Sequence, residues 1–77
     1  MSDDAAQPGT LLLRGEHITL AQALKAVGAA STGGHAKHLV RNGEAAVNGE
    51  PATQPGKKLR AGDRFSVVGG GEWTIIA

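Results

Sequence analysis

Cysteine is absent from this sequence. Without a thiol there is no disulfide, no thiolate zinc site and no thiol nucleophile. The composition fits a reducing compartment, and a cytoplasmic protein is expected. Aromatic side chains are nearly absent as well: Phe65 and Trp73 are the two in 77 residues. The core must therefore come from Leu, Val, Ile and Ala, and single-strand recognition by stacked bases is disfavoured. No run of about 20 apolar residues occurs, so no segment is expected to span a membrane. Residues 1–9 have neither a basic start nor an apolar stretch, so they do not read as a signal peptide. They are expected to form a short disordered tail.

The remaining chain, 10–77, suffices for one domain. A domain of this size buries only about 60% of its unfolded surface, so its core is thin. The net charge is +1, but the distribution is uneven. All eight Lys and Arg fall between Arg14 and Arg64, against Glu16, Glu44, Glu50 and Asp63, a surplus of four. Such a bias marks either an ordinary solvated surface or a face for an anionic partner.

Thr10 to Arg14 reads as a short edge strand ended by Gly15. Thr19-Leu-Ala-Gln22 is a capping box, in which the Thr hydroxyl takes an amide and Gln22 reaches back. Leu20, Ala23, Leu24 and Val27 follow at helical spacing, and Gly28 stops the helix. Ser31 or Thr32 caps a second helix with Ala36, Leu39 and Val40 as its buried stripe and Gly43 just past its end. Lys37 and Arg41, one turn apart, share one flank of that stripe, while His35 and His38 lie toward the other side. Asn48-Gly49 is a tight-hairpin signal. Pro51 and Pro55 limit pairing after it, and Gln54 to Arg60 reads as a basic connector. Phe65 to Val68 and Glu72 to Ile76 read as a hairpin joined by Gly69-Gly70-Gly71. The order predicts an α+β fold: two helices packed on a small, strongly bent antiparallel sheet.

Ala36-Lys37, Leu39-Val40-Arg41-Asn42-Gly43, Val47-Asn48-Gly49 and Gly62-Asp63 come in this order and spacing. The ordered set resembles the S-four RNA-binding domain, the alpha-L motif. The Gly33-Gly34-x-Ala36-Lys37 start, with Glu16-x-Ile18-Thr-Leu20 upstream, is similar to short bacterial proteins of the YbcJ type that consist of this domain alone. The resemblance covers nearly everything after Gly9. It implies a non-catalytic RNA-binding protein, with structured RNA as partner, ribosomal RNA or the ribosome itself, and a role in translation or ribosome assembly. It implies no cofactor. One departure stands out: many members carry Ser-Arg where this chain has Thr32-Gly33, so that Arg contact does not carry over.

Phosphates call for cations at matching spacing. The resemblance places Lys57, Lys58 and Arg60 near the helix bearing Lys37 and Arg41, giving one basic face. Gly33 and Gly34 at a helix start would offer amides to a phosphate, or simply join loop to helix. His35 and His38 are candidates for RNA contact. No metal is expected, since His17, His35 and His38 gain no Cys partner. Catalysis has no legible set: Asp63 sits in a turn, and Glu44 and Glu50 flank a hairpin. The candidate RNA-binding residues are thus Gly33, Gly34, His35, Lys37, His38, Arg41, Lys57, Lys58 and Arg60, in a chain expected to be monomeric. The competing reading is a protein-interaction adaptor that docks an acidic partner on the same face.

Overall fold

The computed structural model describes residues 9–77; of the expected tail, 1–9, residues 1–8 lie outside them. Gly9 is not loose: its carbonyl accepts the Thr74 N–H at 2.7 Å.

Helix α1 spans Leu20–Ala26. Its capping box is complete. The Gln22 N–H donates to Thr19 Oγ1 at 3.2 Å, and the Thr19 N–H donates to Gln22 Oε1 at 3.0 Å. The helix ends because Gly28 adopts a φ of +79°. The Gly28 and Ala29 amides then turn back to the Lys25 and Leu24 carbonyls, which satisfies groups a helix end leaves open. Helix α2, Gly33–Arg41, follows the same plan. Of the two expected caps, Thr32 is the one used: its Oγ1 accepts the His35 N–H at 3.0 Å. Gly43, at φ +77°, and Glu44 return their amides to Val40 and Leu39.

The strands are β1 Thr10–Leu12, β2 Ile18–Thr19, β3 Ala45–Val47, β4 Glu50–Pro51, β5 Lys58–Leu59, β6 Arg64–Val67 and β7 Gly71–Ile76. Five of them form one sheet in the order β1-β7-β6-β3-β4, and β2 pairs with β5 in a second, two-stranded sheet. The larger sheet is mixed, where an antiparallel one was expected. β3–β4 and β6–β7 are antiparallel hairpins and β3 pairs antiparallel with the more distant β6, but β1 runs parallel to β7, with Leu11 opposite Ile75. These two strands come from opposite ends of the fold, so no tight turn imposes an antiparallel direction. The basic connector also differs from its expected irregular course. Lys58 and Leu59 pair with Thr19 and Ile18, because Leu59 is wholly buried and its alternation with exposed Lys58 suits a strand.

Phe65, Ile75, Val47 and Ala45 lie on one side of the larger sheet, and the helices cover that side with Leu20, Ala23, Leu24, Ala36 and Val40. Trp73 pairs across from Phe65, with ring centroids 5.4 Å apart and planes 21° apart, which is stacked packing. The largest core side chains are Phe65, Leu20, Leu24, Leu59, Ile75 and Val40. Full burial of such a side chain contributes about 1.5–3 kcal/mol. Among the described residues no polar or charged side chain is buried, so each of these cations reaches the surface.

Candidate nucleic-acid interface

The two capped helices pack side by side, and the connector closes one end of the seam between them. Two backbone bonds fix that closure: Leu20 N–H donates to the Lys57 carbonyl at 2.8 Å, and Ala21 N–H to the Pro55 carbonyl at 3.0 Å. These are N-terminal amides of α1, which no helical carbonyl can reach. The connector therefore serves as backbone cap for α1, while the Thr19–Gln22 box serves the side-chain part. The result is an open groove of about 390 Å³ lined by Thr19, Ala21, Gln22 and Lys25 of α1, Gly33 and Lys37 of α2, and Pro55 and Gly56. No Asp or Glu lines it.

The groove joins two of the expected site residues, Gly33 and Lys37, to a cation that sequence reasoning passed over, Lys25. The signal was present on both helices. Ala21 precedes Lys25 by four residues, and Gly33 precedes Lys37 by four, so each helix lines the groove with a small residue and a lysine one turn along. What the sequence lacked was the contact that sets the two pairs face to face.

The other candidates are distributed around this groove. Lys57 follows Gly56 directly but lines a neighbouring depression with Glu50, Pro51 and Gln54. Lys58 is exposed on β5. Arg60 belongs to a turn locked by Asp63, whose Oδ2 accepts the Arg60 N–H at 2.8 Å and whose Oδ1 accepts Asn48 Nδ2 at 3.3 Å. Asn48 in turn accepts the Arg64 N–H at 3.0 Å, so the β3–β4 turn and the β5–β6 turn are tied together. Arg41 is exposed near the end of α2 and lines none of these depressions.

His35 and His38 are engaged locally. The Ser31 N–H donates to His35 Nδ1 at 3.2 Å, so the neutral ring carries its proton on Nε2. His38 Nε2 lies 3.0 Å from Asn42 Nδ2, which can only donate, so Nε2 is the acceptor there. Gly34 sits beside the cap, its would-be Cβ 3.9 Å from Thr32 Oγ1. At Gly33 a Cβ would meet nothing within 4 Å, so space does not forbid a larger residue there. Among the described residues, no three His, Asp or Glu side chains gather as a metal site would need. No helix among them is long and apolar enough to cross a membrane.

Comparison with known proteins agrees with this architecture. The S4 domain family matches residues 11–76. A probable ribosome maturation protein from Bacillus subtilis (strain 168), RlbA, is 38% identical over 61 residues, covering 79% of this chain and 86% of that protein.

Proposed function

The chain belongs to the S4 domain family, and from that premise we propose that it is a non-catalytic module binding structured RNA, ribosomal RNA foremost, during maturation of the ribosome. The observation that carries this reading is the acid-free groove between α1 and α2, lined by Lys25 and Lys37, with Lys57 and Lys58 following its Gly56 along the chain. Phosphate neutralisation supplies most sequence-independent affinity for RNA, and flexible exposed lysines suit it. The likeness to a probable ribosome maturation protein points to the RNA class. Lys37, Arg41, Lys57, Lys58 and Arg60 would hold phosphates. The Gly33 and Gly34 amides would assist them at the start of α2. His35 would offer Nε2–H to an RNA acceptor, and His38 would contact RNA nearby. Two aromatic residues, stacked on each other, leave no platform for a run of bases, so double-helical or folded RNA read by shape is the fitting partner.

Crosslinking in cells followed by sequencing of the bound RNA tests the proposal. Enrichment of ribosomal RNA over messenger and transfer RNA is the expected result. Recovery of no RNA, with an acidic protein captured instead, would favour an adaptor role.

A further inference from the structure

The chain has twelve glycines, and nine of them have an evident reason inside the fold. Eight adopt a positive φ that side chains resist, and Gly70 is hemmed in by Val67 at 3.3 Å. Gly33, Gly34 and Gly56 remain, and of these Gly33 and Gly56 line the groove. Neither has a positive φ, and a Cβ on either would meet nothing within 4 Å. Glycine is also the poorer choice for stability at both positions. Gly33 is the first residue of a helix, where alanine is favoured. Gly56 is the third residue of a turn closed by Lys57 N–H to Gln54 C=O at 3.1 Å, a place that an ordinary residue at negative φ can fill. Both line the same groove, Gly33 from α2 and Gly56 from the connector. Their smallness leaves room for something outside the chain.

The rest of the groove describes the occupant. Ala21, Pro55 and the two glycines supply a small, uncharged part of its lining. Lys25 and Lys37 line it too, with no Asp or Glu beside them. Gln22 has its Oε1 committed to the Thr19 N–H, which leaves the amide nitrogen as the donor arm toward a ligand. The walls are preformed by the two α1–connector backbone bonds, so little ordering is required on binding. An apolar slot, a pair of cations and one fixed amide donor match a base, its phosphates and a base-edge acceptor respectively. The geometry points to a subsite for one unpaired nucleotide, projecting from the structured RNA that the rest of the surface holds. It rests on the RNA-binding reading above and adds to it a preference for stems with an extruded base.

The test uses a synthetic RNA hairpin with a single bulged 2-aminopurine in its stem, and the same hairpin without the bulge. The full chain should bind the bulged form about fivefold more tightly, the gain expected from burying part of one base face against apolar surface. The 2-aminopurine fluorescence should change on binding. Gly56→Leu fills the slot without backbone strain, and should reduce affinity for the bulged hairpin to that for the paired one, leaving the paired affinity unchanged. Gly56→Met, a more flexible filler at the same open position, should do the same and serves if Gly56→Leu does not fold. A folded Gly56→Leu protein that keeps the preference would overturn the subsite, as would equal binding of both hairpins by the parent chain. Displacement of the probe by adenosine monophosphate at similar concentration would assign the groove to a free nucleotide and overturn the inference in this form. Failure to bind either hairpin would instead remove the RNA-binding reading itself.

Discussion

Asn48 and Gly49 show how much one residue can fix. Asn48 has φ +52° and Gly49 φ +86°, the pair of left-handed conformations a two-residue hairpin turn requires. Asn48 also spends its side chain on Asp63 and on the Arg64 amide, so it joins two turns and not merely one hairpin. A β-branched residue at Gly49 forces a strained backbone, and Gly49→Val should cost about 1–3 kcal/mol, read as a lower midpoint in denaturant. An unchanged midpoint would contradict the turn. Trp73 gives the complementary case. It is half-buried and stacked on Phe65, so Trp73→Leu should lower stability by about 1–2 kcal/mol. RNA affinity measured well below the melting temperature should stay the same. A large loss of affinity in a folded Trp73→Leu protein would reveal base stacking. Both positions were legible in the sequence, the first from its dipeptide and the second from the scarcity of rings.

At the scale of elements, what was legible was local. Both helices, their caps, their glycine stops and both hairpins follow from signals within a few residues of each other. The β2–β5 pair was not legible, because each strand has two residues, too few for an alternating pattern, and they lie about forty residues apart along the chain. The parallel β1–β7 pairing was hidden for the same reason: it joins the two ends of the fold. The groove depends on these non-local links, since the connector reaches α1 through β5. α1 has only seven residues and is held at its start by the Thr19 cap and two connector carbonyls. Thr19→Ala should destabilise the domain by about 0.5–2 kcal/mol. Hydrogen exchange should quicken first at the Gln22 amide, which loses its acceptor, and then at Leu20 and Ala21. Uniform quickening across both sheets, with no lead at α1, would contradict a capping role.

For the whole molecule, the governing feature is that a nearly neutral chain presents six of its eight cations on the helix pair and the connector, while among the described residues the core holds no charge. The charge surplus was visible in sequence, and so was the Lys37–Arg41 flank of α2. The partnership of Lys37 with Lys25 was not, since it needs α1, α2 and the connector to converge. If three to five cations meet phosphates, log affinity for ribosomal RNA fragments should fall with log salt at a slope of about −2 to −4. The most direct test of the account is that slope measured for the parent chain and for Lys37→Glu with Arg41→Glu. Both side chains are exposed, off the Ala36–Val40 core, so the variant should melt as the parent does. It should lose detectable binding, and the parent should show the steep slope. A folded double variant that binds structured RNA as tightly as the parent, with a flat dependence on salt, would contradict the phosphate-binding surface.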